Sequence, residues 1–360
     1  MKIAFYCTNE FSCPLPKEIV YAPMGLAEKL IKGLEKRGHE VTFYTPTDSE
    51  IKIKKVDCGM VSYYRLPNKA MSGGFHDQLQ LAIYEQMMAS KMYEDARENK
   101  YDIIHAFHLI PKILPFVNLT KTPTVFTLHD PMSASWNKSV EYCSWKNKAH
   151  YVSISDSQRK GMPDLNYAGT VHNGLEIEKF KFKNKSQKKQ GDYLAFLGRY
   201  SSEKGADAAV SVAIKSKEKL KMAGTIWGNG FYDEKIKPYL KKGVIEDRGF
   251  LENKKDISDL LRNAKALLFP IKWEEPFGLV MIEAMACGTP VIAFNKGSVS
   301  EIVKHNKTGF VVENEEEMIE AIKNIDQINR LECRKYVEEN FTIEKMVEGY
   351  ERVYEKVIGN

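Results

Sequence analysis

The stretch Trp273-Glu274-Glu275-Pro276-Phe277-Gly278-Leu279-Val280-Met281-Ile282-Glu283-Ala284-Met285-Ala286-Cys287-Gly288-Thr289-Pro290-Val291 places a Pro-Phe-Gly turn before an apolar run, which Gly288 and then Pro290 bring to a stop. This punctuation predicts a helix over Phe277–Cys287. Short β-rich runs flank it, Ala266–Pro270 before and Val291–Phe294 after. Strand, helix, strand at this spacing is the repeating step of a parallel α/β sheet. Two carboxylates bracket the turn and the helix, Glu275 and Glu283, with seven residues between them. Most apolar helices that follow a tight turn only fill a core. A carboxylate retained in a run otherwise free of charge from Pro276 to Thr289 is different, because burying it is costly unless it is paired or binds something. The start of the helix offers unpaired N–H groups and the positive end of a macrodipole, which suits an anion. Glu283 lies roughly 9 Å further along, at about 1.5 Å per residue. A diphosphate at the helix start could lay a hydroxylated ring against Glu283 and leave Glu275 for the group on its other phosphate. That is the outline of a nucleotide-sugar.

Outward from this stretch the same alternation recurs. Strands are expected at Lys2–Cys7, Val41–Thr45, Val61–Tyr64, Ile103–Phe107, Thr124–Leu128 and Tyr151–Ile154, with helices over Gly25–Arg37 and Asp77–Asn99. After a charged break the strands Tyr193–Leu197, Leu220–Trp227, Val244–Arg248, Ala266–Pro270, Val291–Phe294 and Gly309–Val312 alternate with helices, including Ala206–Lys217 and Lys255–Asn263. A chain of 360 residues exceeds one comfortable core. The expected architecture is therefore α/β, two tandem Rossmann-like doubly wound domains. They would comprise residues 1–178 and 192–341, a lysine-rich linker over 179–191, and a last helical segment over 342–360. Ligands in such sheets sit at the carboxyl ends of the strands, which puts the expected site in a cleft between facing domains.

Composition narrows the class. Apolar residues make up 43% and aromatic residues 11%, the profile of a globular protein. A formal net charge of +5 gives no nucleic-acid signature. The excess is local, six lysines and no acid from Lys179 to Gln190. Such a run serves as a solvated linker or as a basic strip that attracts anionic lipid. No apolar stretch approaches the roughly 20 residues of a membrane span, so a cytoplasmic protein is expected, at most peripheral at the inner membrane face. The six cysteines have no metal-ligand spacing and read as reduced thiols.

Further motifs point to charge neutralisation and sugar contact. Gly198-Arg199-Tyr200-Ser201-Ser202-Glu203-Lys204-Gly205 follows a strand and sets two cations five positions apart in a loop opening a helix. Arg can fork a phosphate and Lys acts as a movable point charge. Thr127-Leu128-His129-Asp130 closes another strand; a lone His there is commonly structural. Gly25 ends a Pro-bearing loop before a helix, Gly228-Asn229-Gly230 forms a weak Gly-x-Gly turn, and Gly249-Phe250-Leu251 ends a strand. There is no Asp-x-Asp to grip a metal–diphosphate, and no Gly-x-Gly-x-x-Gly in the first βα turn.

Together the paired glutamates around Pro-Phe-Gly, the Gly-Arg and Glu-Lys-Gly upstream and the strand-end His-Asp resemble glycosyltransferase family 4, retaining enzymes of the GT-B fold. The resemblance is strongest from Gly198 to Phe310. It implies that Arg199, Lys204 and the helix start Phe277-Gly278-Leu279 hold the donor diphosphate. Glu283 would accept from the ribose hydroxyls and Glu275 from the sugar. His129 would border the anomeric carbon, and Gly25, Gly228, Phe250 and Leu251 would line the phosphate and base. Met24-Gly25 keeps only the second glycine of the family's Gly-Gly pair, and His172-Asn173-Gly174-Leu175-Glu176 is similar to its Pro-Asn-Gly-Val-Asp turn. The last helix would cross back to the first domain. No metal and no cofactor are implied, since the nucleotide-sugar is itself the substrate. The rival readings are an inverting GT-B enzyme or nucleotide-sugar epimerase, and a silent nucleotide-sugar-binding subunit. The residues suit a UDP- or a GDP-sugar equally, and a sugar, a lipid-linked glycan or a small metabolite as acceptor. Asn9–Met24 and Arg65–Gln80 would shape the acceptor side.

Overall fold

A computed structural model describes every residue except 18, 67–74, 99, 109, 183–190, 227–229, 241–243 and 360, and the side chains at 75, 76, 110 and 136. The chain forms two compact units, residues Met1–His172 with Ile343–Asn360, and Asn173–Thr342.

In the first unit β1 (Lys2–Tyr6), α1 (Ala22–Lys36), β2 (Glu40–Tyr44), β3 (Lys54–Val56), α2 (Phe75–Arg97), β4 (Ile103–Ala106), β5 (Thr124–Thr127), β6 (His150–Ser153) and β7 (Tyr167–Thr170) follow in chain order. The sheet is parallel throughout, in the order β3-β2-β1-β4-β5-β6-β7. Strand order reverses direction between β1 and β4, where Ile3 pairs with both Val41 and Ile103. The inner strands are buried on both faces, and α2 contributes Met88, Met92 and Tyr93 to their core.

Two expectations fail here. Val61–Tyr64 is not a strand: Tyr63–Arg65 is a 3₁₀ turn. Its backbone is claimed by the first loop, Tyr63 N–H donating to the Asn9 carbonyl and Tyr64 N–H to that of Glu10, while Ser62 is held by Asp48. The third strand is instead Lys54–Val56, whose lysines are tolerable because it lies at the sheet edge. The strand β7 was missed because Gly169 weakens its pattern. That glycine lies against Val353 of the C-terminal helix, which stands closer than an ordinary contact to where a Cβ would project.

The C-terminal helix, Ile343–Ile358, belongs to this first unit. It is amphipathic, burying Met346, Val347, Tyr350, Val353, Tyr354 and Val357, and Val347 occupies the space a side chain on Gly33 would need. Polar groups fix it in register. The wholly buried His105 of β4 bonds Tyr354 through Nδ1 (2.6 Å) and Thr127 through Nε2 (2.8 Å), and the Thr127 hydroxyl meets Tyr350 at 3.0 Å. Burial pushes the His105 imidazole well below its ordinary pKa, with His129 acting the same way, so it serves as a neutral crosspiece.

The second unit contains β8 (Tyr193–Leu197), α3 (Ala206–Ser216), β9 (Lys219–Ala223), β10 (Ile245–Asp247), α4 (Lys254–Arg262), β11 (Leu267–Phe269), α5 (Leu279–Ala286), β12 (Val291–Phe294), β13 (Gly309–Val312), α6 (Glu315–Lys323) and α7 (Arg330–Asn340). Its parallel sheet runs β10-β9-β8-β11-β12-β13. Here the order reverses between β8 and β11, so the loops that leave those two strands meet at the topological switch point. The helix read as Phe277–Cys287 is Leu279–Ala286: Gly278 adopts φ +81°, a left-handed conformation that ends the preceding loop and starts the helix at Leu279. All six cysteines are free thiols. Among the described residues no helix is long and apolar enough to cross a membrane.

Candidate active site

The loops after β8 and β11 are stitched together in the second unit. Lys272 N–H donates to the Glu203 carbonyl at 2.9 Å, and Lys272 Nζ pairs with Asp207 at 2.7 Å. Gly205, at φ +69°, lies so close to the Pro270 carbonyl that a Cβ there would collide with it. Against this frame Lys204 Nζ donates to Glu275 Oε2 at 2.6 Å, and Trp273 Nε1 donates to the same oxygen at 2.9 Å. The Lys204 ammonium also lies over the Trp273 ring, 4.7 Å from its centroid. Glu275 is only 8% exposed. Its backbone is held too, by Ser298 N–H on the Glu275 carbonyl and Ser298 Oγ on the Phe277 carbonyl.

This arrangement brings Lys204 to the loop that leads directly into α5. It does not bring Arg199 there by the same route: the guanidinium donates to Glu203 of its own loop at 2.9 Å. The head of α5 opens outward, with Gly278, Leu279 and Val280 half-buried while Met281–Ala286 are buried. Phe277 lies before the helix, its ring edge-on to Phe341. Glu283, 6% exposed, is paired with Lys254 at the start of α4, Nζ to Oε1 2.6 Å. The cost of burying each glutamate is thus met by a lysine, Lys204 from the loop after β8 and Lys254 from the first turn of α4.

At the end of β10, Asp247 accepts from the Gly249 N–H (2.8 Å) and the hydroxyls of Tyr200 (2.6 Å) and Tyr232 (2.5 Å). That ties down the turn from which Phe250 projects, 39% exposed, beside a half-buried Leu251. Gly228 lies outside the described residues.

In the first unit the loops after β1 and β4 likewise meet at a switch point. His108 Nδ1 bonds the Tyr21 hydroxyl and His108 Nε2 bonds Asp130 Oδ2 at 2.9 Å. His129 packs on Phe107, ring centroids 4.6 Å apart, and lies 5.9 Å from His108. Gln158 clamps the backbone on both sides of it, donating to the carbonyls of Leu128 (3.0 Å) and Asp130 (2.9 Å). His129, His108 and Asp130 line a cavity of about 380 Å³. Gly25 is not in the loop, as expected, but in the first turn of α1, with open space beside it.

Burial pushes the His129 imidazole down to about 3; His108 adds to this, while Asp130 and a hydrogen bond to the Phe107 backbone oppose it. Its Nε2 is buried with no partner. The Phe107 bond therefore belongs to Nδ1–H, and Nε2 carries a lone pair.

A profile of glycosyltransferase family 4 matches residues 26–222, more than half of the chain, and one for glycosyl transferases group 1 matches residues 177–341. The chain belongs to glycosyltransferase family 4. N-acetyl-alpha-D-glucosaminyl L-malate synthase of Bacillus anthracis is 25% identical over 363 residues, spanning 92% of either chain. Among solved structures, sucrose-phosphate synthase of Thermosynechococcus elongatus superimposes with a TM-score of 0.75 at 15% identity over 99% of both chains. Alr3699/HepE of Anabaena, in complex with UDP and glucose, does so with 0.71 at 17% identity over 98% of both. The glycosyltransferase therefore has the two-domain α/β architecture of GT-B, as its sequence suggested.

Sequence reasoning overlooked His108, Gln158 and Lys254. His108 had a signal, since His105-Ala106-Phe107-His108 carries a second imidazole past the end of a strand. Gln158 and Lys254 had none, because each acts on a group distant in sequence, Gln158 on the backbone around His129 and Lys254 on Glu283 of α5.

Removing Lys204 strands a buried carboxylate. Lys204→Ala should lower stability by about 3 kcal/mol, and adding Glu275→Gln should restore at least half, as read by urea denaturation; additive losses would contradict the pairing. His129 should show no titration between pH 5 and 8 by imidazole NMR. The unfolded imidazole takes up its proton near pH 6.5 and the folded one only near 3. This group therefore weakens the fold as pH falls below about 6.5 and has no effect above. A midpoint near 6.5 in the folded glycosyltransferase would contradict the assignment.

Proposed function

We propose that this glycosyltransferase moves a sugar from a nucleoside-diphosphate donor, a UDP- or GDP-sugar, to an acceptor hydroxyl, with retention of anomeric configuration and without a metal. The observation that carries the reading is the Lys204–Glu275 pair beside the half-buried head of α5. A diphosphate at Gly278-Leu279 would meet unpaired N–H groups and a macrodipole. It would also draw the Lys204 ammonium partly from Glu275, freeing that carboxylate to accept from sugar hydroxyls. Charge builds on the leaving phosphate as the glycosidic bond breaks, and a positioned cation in a dry site stabilises that state by a few kcal/mol. Arg199 would swing from Glu203 to the second phosphate. Glu283 would accept from the ribose, Phe250 and Leu251 would flank the base, and His129 would hydrogen-bond the sugar through Nε2. In this retaining scheme the acceptor enters on the leaving-group side and its proton passes to the departing phosphate oxygen, so no separate base is needed. The complex of Alr3699/HepE with UDP and glucose supports a nucleotide-sugar donor. We assign the reaction to the cytoplasm.

One observation favours a second reading. The His108–Asp130 pair, 2.9 Å apart, could serve as a base in an inverting enzyme.

Lys204→Ala and Glu275→Gln should each cost at least about a hundredfold in sugar transfer, measured on purified variants across a panel of UDP- and GDP-sugars. Near-normal turnover by either would remove the mechanism. Glu283→Ala should weaken nucleoside-diphosphate binding about tenfold or more, the worth of one charge-assisted hydrogen bond, read by calorimetry. The NMR coupling constant of the product's anomeric proton should match the donor's configuration; inversion would hand the reaction to His108.

A further inference from the structure

Two hydrogen-bond donors meet on one oxygen of Glu275. Lys204 Nζ and Trp273 Nε1 both reach Oε2, at 2.6 and 2.9 Å. The other oxygen, Oε1, has no hydrogen-bond partner among the described residues. The two donors differ in charge and in how firmly they are placed. Lys204 carries its ammonium on a flexible four-carbon stem, and that ammonium also rests over the Trp273 ring, 4.7 Å from its centroid. Trp273 is neutral, half-buried and pinned from both sides. Before it, Lys272 N–H donates to the Glu203 carbonyl and Lys272 Nζ pairs with Asp207. After it, Glu274 Oε2 accepts from the Gly297 N–H at 2.9 Å. Gly297, at φ +57°, runs so close to the Glu275 backbone that a Cβ there would collide with it.

This difference matters once a diphosphate arrives. In the nucleotide-sugar reading the anion at the head of α5 draws Lys204 away from Glu275. A carboxylate that is only 8% exposed then loses its cation, which is costly unless another donor stays with it. The indole N–H is that donor. It carries no charge for the diphosphate to attract, and its chain is fixed where it stands.

We infer that Trp273 is a positioning residue for the transfer. Its Nε1–H holds Glu275 Oε2 in place when Lys204 moves to the diphosphate, so that Oε1 stays available to the sugar hydroxyls. Its ring meanwhile keeps the resting ammonium beside the site. The inference deepens the nucleotide-sugar reading and rests on it.

Trp273→Phe tests it, because it keeps a ring beneath the ammonium and removes only the N–H. Calorimetry on the full chain first selects UDP or GDP, and the matching nucleotide-sugars serve as substrate, with released nucleoside diphosphate as the readout. Turnover should fall at least about tenfold, the worth of one hydrogen bond to a charged group. Nucleoside-diphosphate affinity should change by less than about twofold, because the N–H acts on Glu275 and not on the phosphates. In a Glu275→Gln background Trp273→Phe should cost nothing further, since its effect passes through that carboxylate. A direct view comes from the indole N–H resonance of Trp273 in the unmodified chain, assigned by its shift in Glu275→Gln. It should stay protected from solvent exchange when the nucleotide binds, and this reading stands even if Trp273→Phe does not fold. Undiminished turnover by Trp273→Phe, a loss of nucleotide affinity as large as the loss of turnover, additive losses with Glu275→Gln, or exchange of the N–H once nucleotide is bound would each overturn the inference alone. Failure of both UDP and GDP to bind overturns the nucleotide-sugar reading and the inference with it.

Discussion

Glu275 is a carboxylate that the second unit can neither expose nor leave alone. Its side chain is almost wholly enclosed, and its neutralisation comes from Lys204, on the loop after a different strand. An ion pair of this kind contributes little net stability, because desolvation offsets most of the Coulombic gain. What it does is fix the registration of two loops. Gly205 must pass close beside Pro270, Lys272 must bond Glu203, and Gly278 must turn left-handed so that α5 begins where it does. The consequence is a cation beside a helix start that retains unpaired N–H groups. In the proposed reaction an anionic ligand there would recruit that charge, and the carboxylate it releases would accept from hydroxyls.

The first unit follows the same plan with different chemistry. At its own switch point Tyr21, His108 and Asp130 join the loops after β1, β4 and β5 in one hydrogen-bonded chain. Gln158 holds the carbonyls on either side of His129, and the C-terminal helix, through Tyr350 and Tyr354, secures Thr127 and His105 beneath. In the second unit the buried charges are lysine–glutamate pairs, and in the first a carboxylate and two imidazoles meet at the switch point.

The parts legible in the sequence were those governed by local rules. Apolar runs bounded by Gly and Pro located the inner strands, and the Gly288–Pro290 stop located the end of α5, because both depend on neighbours a few residues away. The edge strand Lys54–Val56 was illegible because its identity depends on lying at the sheet margin. Val61–Tyr64 looked like a strand because its β-branched and aromatic residues fit one, but loop 9–10 claimed its backbone first. At the site, Glu275, Glu283, Lys204 and His129 were picked out as candidates by residue type and spacing, assisted by family resemblance. Their partners could not. Nothing near Glu283 in sequence announces Lys254, and nothing near His129 announces Gln158, since those pairings are made by the fold across 29 residues in each case or nearly so.

The most direct test is a crystal structure of the full chain with UDP or GDP, whichever calorimetry selects. The account predicts a β-phosphate within hydrogen-bonding distance of the Leu279 N–H, with Lys204 Nζ drawn onto it and Glu275 left facing the vacated sugar position. A diphosphate bound elsewhere, with the Lys204–Glu275 pair undisturbed at its present 2.6 Å, would contradict it.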